Sequence, residues 1–263
     1  MVTFAVNLST IFTEVPFIER FKKAKDAGFS FVECQFPYEE PLRRVQRVLN
    51  NNSLSMALIN MPAGNWAQGE RGLAIFPDRV EEFKQALNLA LQYAFALKSP
   101  NIHCMAGVLS PEQSREEARK IYLENLKYAG RKTAELGLTL LIEPINPYDM
   151  PGYFLSDIDE AVKIIKEVNL PNVRLQFDFY HIERMYGNSL ELFKKYFRLI
   201  GHVQIADYPG RHEPGTGSMD YEKIFSEISR LGYKRPIGLE YIPATRSDES
   251  FRWLAQKGEC RTP

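Results

Sequence analysis

The residues best suited to chemistry in this chain stand at the ends of short apolar runs. Glu143 closes TLLIE, Asp178 closes VRLQFD, Gln204 closes HVQ and Glu240 closes IGLE. Any one of them alone reads as a helix cap or a solvated loop residue. All four in chain order, each ending a run, read as one site. Carboxylates drawn together repel, and burying each without compensation costs several kcal/mol, so they need a partner. A divalent cation is the simplest. Ligation by carboxylates and an amide carbonyl suits Mg²⁺ or Mn²⁺ better than Zn²⁺. Glu143, Asp178, Gln204 and Glu240 are therefore the expected metal ligands.

Other polar side chains follow the same pattern. Asn7, Glu33 or Gln35, Asn60 and His103 end the earlier runs. His103 is placed to hydrogen-bond to a substrate, or to sit satisfied in the core. His181 follows Asp178 by three residues in FDFYHIE, just past a strand end, and is read as a substrate contact. The segment ADYPGRHEPGTGSMDY is rich in Gly and Pro and carries Arg211, His212 and Glu213. Arg211 could clamp a substrate carboxylate with two hydrogen bonds, or it could be a surface arginine. His212 is expected near the same place. His202 shares the orientation of Gln204 two residues on, one layer deeper, and reads as structural.

The elements that must position these groups alternate along the chain. Short β-rich runs are expected at Phe4 to Asn7, Phe31 to Glu33, Ser55 to Asn60, Asn101 to Met105 and Thr139 to Glu143. Three more follow at Val173 to Asp178, His202 to Gln204 and Ile237 to Glu240. Amphipathic stretches lie between them: Glu14 to Ala27, Pro41 to Asn50, Asp78 to Leu97, Pro111 to Leu136, and Ser156 to Val168. The series continues with Ser189 to Arg198, Tyr221 to Leu231 and Asp248 to Gln256. Ser110, Ser156 and Asp220 are read as N-caps, and Gly137 and Gly232 as helix stops. Eight strand signals alternating with eight helix signals give a single-domain (β/α)8 TIM barrel over residues 1–257, with a disordered tail at 258–263. In that fold the C-terminal strand ends carry the active site. No dinucleotide or P-loop glycine pattern follows the first strand, which weighs against an open doubly wound sheet. Two loops, Tyr148 to Tyr153 and Asn65 to Gly72, are candidate lids.

Bulk properties narrow the function classes. The chain has 263 residues, with 33 basic and 33 acidic side chains and zero net charge. No global basic excess points to nucleic acid. The cysteines number 3, an odd count without metal-type spacing, as expected in a reducing compartment. No signal peptide or membrane-length apolar run is evident, so a cytoplasmic protein with no membrane partner is expected. A homo-oligomer is compatible with all of this.

The segments IEPIN (Ile142 to Asn146), FDFYH (Phe177 to His181), HVQIAD (His202 to Asp207), PGRHEPGTG (Pro209 to Gly217) and GLEY (Gly238 to Tyr241) resemble the hydroxypyruvate isomerase family. Close relatives in that family act on 2-oxo-tetronate, and the wider superfamily of xylose-isomerase-like barrels includes ketose 3-epimerases and AP endonucleases. The resemblance runs from about Phe4 to Trp253 and is strongest after Leu140. It implies an isomerase that interconverts a small 2-oxo hydroxy acid and its aldehyde isomer by metal-assisted enediolate proton transfer. Glu143 and Glu240 match the family's acid/base pair and also touch the metal. Asp178 and Gln204 match the remaining ligands. Gln204 replaces a histidine of the related epimerases, which favours the isomerase branch over a ketose 3-epimerase. His181 and Arg211 match substrate-contacting positions. One departure is Glu183, where the family often has glutamine. Its extra negative charge near the mouth would oppose an acid substrate. An AP-endonuclease-like phosphodiesterase is disfavoured by the neutral charge and by only 4 histidines.

Overall fold

The structure, a computed structural model, describes residues 2–256. The domain boundary at residue 257 and the tail expected at 258–263 lie outside the described residues. The strands are β1 (Phe4–Asn7), β2 (Phe31–Cys34), β3 (Ser55–Asn60), β4 (Asn101–His103), β5 (Thr139–Ile142), β6 (Val173–Asp178), β7 (Ile200–Ile205) and β8 (Ile237–Leu239). They pair in chain order and close on themselves, with β8 parallel to β1 and Phe4 beside Ile237. The helices are α1 (Phe17–Asp26), α2 (Leu42–Asn51), α3 (Val80–Leu97), α4 (Arg115–Glu135), α5 (Ile158–Val168), α6 (Phe179–Tyr186), α7 (Ser189–Tyr196), α8 (Tyr221–Arg230) and α9 (Arg252–Gln256). This is the (β/α)8 barrel expected from the alternation.

The strands form where they do because both their faces are covered. Every residue of β1 and β7 is buried, the pattern of a parallel strand between a packed lumen and outer helices. The helices show one apolar stripe each. In α5, Ile158, Val162 and Ile165 recur at helical spacing and are buried, while Glu167 on the opposite side faces water. Aromatic contacts lock the shell. Phe177 of β6, Phe179 of α6 and Phe193 of α7 meet with ring centroids 5.0–5.4 Å apart. Trp253 of α9 packs edge-on against Phe4 of β1, so the last helix seals the first strand. No helix among the described residues is long and apolar enough to cross a membrane.

Several boundaries differ from the sequence reading. Helix α4 starts at Arg115, capped by Ser114, not at Pro111 after Ser110. The chain at Ser110 instead makes a turn, with Gln113 N–H donating to the Ser110 carbonyl at 3.1 Å. The cap of α5 is Asp157, whose carboxylate accepts from Glu160 N–H at 2.7 Å, rather than Ser156. A negative charge suits the positive end of a helix better than a hydroxyl does. Asp220 caps α8 as expected, accepting from Lys223 N–H at 3.0 Å. β4 stops at His103, two residues short of the expected Met105, and the chain then turns toward Gly107 at φ 131°.

The largest difference is α6. The sequence pattern places no helix between the strand ending at Asp178 and the helical stretch from Ser189, yet residues Phe179–Tyr186 form one. Asp178 ends β6 and also caps α6, its Oδ1 accepting from Tyr180 N–H at 2.9 Å. One residue thus does the work of a loop. Gly187, at φ 67°, ends α6 in the left-handed conformation that glycine adopts without strain.

Candidate active site

The strand ends converge as the fold requires. Asp178 closes β6, while Glu143 and Glu240 directly follow β5 and β8, and all are buried. Ligand atoms of Glu143, Asp178 and His181 all lie within 4.8 Å of one another. His181 thus stands among the possible ligand donors as well as where a substrate contact was expected. Its Nε2 is 3.6 Å from Asp178 Oδ2, and His103 Nε2 is 3.6 Å from Glu143 Oε2. Arg211 reaches the same cluster from the loop between β7 and α8. Its Nη2 lies 3.2 Å from Glu240 Oε2 and 3.9 Å from Asp178 Oδ2. It is therefore not a free surface arginine.

The electrostatics show a site short of positive charge. Burial raises the Glu143 carboxyl well above its usual range, and Glu240 and Asp178 raise it further. Burial pushes Asp178 up to about 7 against the opposing pull of Arg211. Burial also raises Glu240, again against Arg211. Burial favours loss of charge on Arg211, but Glu240, Asp178 and Glu143 outweigh it and hold the guanidinium charged. The histidines go the other way. Burial lowers His103 to about 3 and His181 well below its usual value, so both are neutral donors or acceptors.

The donor set fits a divalent cation. Glu143 Oε1 and Asp178 Oδ2 are buried and accept no hydrogen bond among the described residues. Two buried carboxylate oxygens without donors, beside a further carboxylate, call for a cation. Gln204 is engaged on both sides: its Oε1 accepts from Gln176 Nε2 at 2.6 Å, and its Nε2 donates to Glu33 at 2.7 Å. The carbonyl oxygen keeps a second lone pair for a ligand.

These shifts set a pH dependence for the metal-free protein. An unfolded aspartate titrates near 3.9, and folded Asp178 near 7. At Asp178 and Glu143 the folded state binds more protons than the unfolded state, while neutral His103 and His181 act the other way below about 6.5, where unfolded histidine takes up a proton. Above that value the carboxyls set the slope, and stability falls as pH rises. Metal-free protein should melt higher at pH 6.5 than at pH 8, and saturating Mn²⁺ should abolish the difference. Thermal melts with chelator and with Mn²⁺ check this; a metal-free melting point that is flat or rising over that window contradicts it.

Loops hold the remaining groups. Asn146, in the β5–α5 loop, lies 2.6 Å from His181 Nδ1 through its Nδ2, which also donates to Asp149 Oδ2 at 3.0 Å. Asp149 in turn pairs with Arg184 at 2.5 Å and approaches Arg211 at 3.8 Å. Arg211 itself sits at φ 56°, a left-handed conformation uncommon outside glycine. Buried Asp207 holds the loop in that shape, accepting from Gly215 and Gly217 N–H at 2.8 and 2.9 Å. A Cβ on Gly217 would lie 2.1 Å from the Tyr208 carbonyl oxygen, so only glycine fits there. His212, in the same loop, has its Nδ1 2.7 Å from the Ile242 carbonyl.

The earlier strands contribute more than expected. Asn7 donates to both Glu33 and Glu240, at 3.1 and 3.0 Å, and Gln35 donates to Glu240 at 3.0 Å. Both candidate ends of β2 thus join the network. Asn60, buried at the end of β3, sits in register with His103. His202 lies below Gln204 as expected, 2.8 Å from Glu33. Glu183 does not face the mouth: its carboxylate accepts from Ser189 N–H at 3.0 Å, where it caps α7. The feared repulsion toward an acid substrate therefore has no basis at that residue. Sequence reading missed Gln176, Asn146, Asp149 and Asp207. Only Gln176 had a usable signal, lying two residues before Asp178 on the same face of a strand. The proposed lid segments are each bridged to the loop after β4, Gly72 to Ala106 and Tyr153 to Val108.

Comparison with known proteins agrees with this geometry. The xylose isomerase-like TIM barrel family matches residues 21–257. Hydroxypyruvate isomerase of Escherichia coli is 41% identical over 254 residues, 97% of this chain and 98% of that protein. 2-Oxo-tetronate isomerase of Cupriavidus necator is 42% identical over the same shares of each. Among solved structures, a protein from Brucella melitensis described as AP endonuclease, family 2, is 42% identical with a TM-score of 0.94, covering 97% of this chain and 99% of that one. A D-allulose 3-epimerase from Methylomonas sp. shares the fold at 18% identity and a TM-score of 0.75, over 97% of this chain and 89% of that one. The chain is an enzyme of the xylose isomerase-like TIM barrel family, within the group that holds the hydroxypyruvate and 2-oxo-tetronate isomerases.

Proposed function

We propose that this enzyme interconverts a small 2-oxo hydroxy acid and its aldehyde isomer, with hydroxypyruvate and tartronate semialdehyde as the working pair and the 2-oxo-tetronate pair as the four-carbon equivalent. The observation that carries the reading is a buried carboxylate pair, Glu143 and Glu240, in one mouth with a guanidinium that can meet a substrate carboxylate. Glu143, Asp178, Gln204 and Glu240 would hold a divalent cation, Mg²⁺ or Mn²⁺; of these, Glu143 and Asp178 stand with His181 in one group of ligand atoms within 4.8 Å of one another. Such a cation supplies Lewis-acid stabilisation of negative charge developing on substrate oxygens.

The chain's own groups account for the proton transfer. One glutamate takes the proton from C3 of hydroxypyruvate and a proton returns to C2 from the same residue or its partner, while the O3 hydroxyl gives up its proton and O2 gains one, which leaves an aldehyde at C3 and a hydroxyl at C2. Two carboxyls in one buried site suit this, because each disfavours ionisation of the other and one can be acid while the other is base. Arg211 orients the substrate carboxylate. Neutral His103 and His181 hydrogen-bond to substrate oxygens without adding charge. Burial of the whole set excludes water that would compete for those hydrogen bonds.

A phosphodiesterase reading has less support here. His202 is committed to Glu33 and His212 to the Ile242 carbonyl, which leaves His103 and His181 of the chain's 4 histidines for a histidine-rich metal cluster. A substrate panel with and without chelator separates the readings. Turnover of three- or four-carbon 2-oxo hydroxy acids, lost on chelation and restored by Mn²⁺ or Mg²⁺, is the expected result. Preference for neutral ketohexoses, or cleavage of abasic DNA, would replace it.

A further inference from the structure

Glu33 is 0% exposed, yet side chains from three other positions converge on its carboxylate. Asn7 Nδ2 donates to Oε1 at 3.1 Å, and Gln204 Nε2 donates to the same oxygen at 2.7 Å. His202 Nε2 lies 2.8 Å from Oε2. The space for this group is built into the barrel. A Cβ on Gly238, the β8 residue in register with Gln204, would stand 2.4 Å from Glu33 Oε1 and 2.5 Å from Oε2. Any other residue there would displace the carboxylate.

An amide has a donor end and an acceptor end, so its direction must be set by its neighbours. Toward the amides of Asn7 and Gln204, Glu33 is the acceptor, and both turn their N–H to it. Gln204 must then turn its Oε1 the other way, where it accepts from Gln176 Nε2 at 2.6 Å. Gln176 Nε2 also donates to Glu143 Oε2 at 3.1 Å. On the other side, Asn7 passes its N–H to Glu240 Oε1 at 3.0 Å, while its own carbonyl accepts from Ser9 N–H at 2.9 Å. One acceptor thus stands at the junction of two hydrogen-bond chains, each ending on one of the paired glutamates. Without it, the Gln204 amide could invert and present N–H where a cation needs an oxygen.

We propose that Glu33 is a positioning residue that fixes the direction of the Gln204 and Asn7 amides, so that Gln204 offers its carbonyl oxygen to the metal and Asn7 its N–H to Glu240. This rests on the metal reading given under Proposed function. Gly238 is the structural counterpart that makes room for it.

The test is Mn²⁺ affinity, read from the electron paramagnetic resonance of the free ion, together with separate kcat and KM values. Glu33→Met leaves no acceptor. It should weaken Mn²⁺ binding about 10- to 100-fold, the usual cost of losing an outer partner of a ligand, and lower kcat with KM little changed. Glu33→Gln keeps one oxygen between Asn7 and Gln204, its nitrogen turning to His202, and should restore most of the affinity. Glu33→Met with wild-type affinity overturns the proposal. Should that variant not fold, the isosteric exchange decides. Gln204→Glu sets two carboxylates against each other, and adding Glu33→Gln supplies a donor between them. The double variant should bind Mn²⁺ more tightly than Gln204→Glu alone; equal or weaker binding overturns the proposal. Wild-type protein that binds no Mn²⁺ would remove the metal reading, and this inference with it.

Discussion

Glu143→Gln is expected to leave a folded protein that turns over about 10²- to 10⁴-fold more slowly, the usual contribution of a positioned acid or base. Glu240→Gln should lose as much activity. Their stabilities should differ, and the contacts say why. Glu143 is pushed toward its neutral form by burial and by Glu240 and Asp178, so an amide there relieves repulsion. The metal-free Glu143→Gln protein should melt at or above the wild type. Glu240 accepts from Asn7 and Gln35 and pairs with Arg211 at 3.2 Å. An amide there must turn N–H toward one of these donors and leaves Arg211 short of a partner. Metal-free Glu240→Gln should therefore melt lower than Glu143→Gln. Steady-state kinetics and thermal melts check both parts. Near-normal turnover in either variant removes that glutamate from the proton transfer.

Arg211→Met should separate substrate binding from metal binding. Arg211 is the cation facing Glu240, Asp178 and Asp149, and its Nε is buried without a hydrogen-bond partner among the described residues. A buried donor so placed is available to a substrate carboxylate. Truncating one member of a buried charge pair costs about 2–5 kcal/mol. The loss should appear mainly in KM for the acid substrate, a rise of about 30-fold or more. Mn²⁺ should bind the variant as well as the wild type or better, because a like charge has been removed from the cluster. Titration of Mn²⁺ alongside steady-state kinetics reads both. Weakened Mn²⁺ binding with unchanged KM would show that Arg211 serves the ligands rather than the substrate.

What the sequence made legible follows from how this barrel is built. Strands buried on both faces read as apolar runs, and the first polar residue after each run marks the mouth. That rule locates Glu143, Asp178, Glu240 and His103 without any tertiary information. The two-residue alternation of strand side chains puts His202 one layer beneath Gln204. The strand-end rule fails where one residue carries two roles. Asp178 is strand end and helix cap at once, so no loop residue separates β6 from α6 and the helix passes unread. Glu183 was misplaced for the same reason: with α6 unseen, its turn toward the Ser189 N–H could not be foreseen. The Glu33 junction lies further out of reach. Glu33 and His202 are 169 residues apart, and no periodicity links residues that meet only across the barrel lumen. The Arg211 loop was recognisable by its Gly and Pro content, but not its dependence on Asp207, whose side chain orders backbone N–H groups 8 and 10 residues onward.

Proton exchange tests the central claim most directly. Purified enzyme with Mg²⁺ and hydroxypyruvate in D₂O, followed by proton NMR, should show deuterium entering the substrate carbon as the aldehyde product appears, and chelator should stop both. Neither exchange nor product with hydroxypyruvate or 2-oxo-tetronate, in protein shown to hold the metal, would contradict the account: the carboxylate cluster would then serve some other reaction.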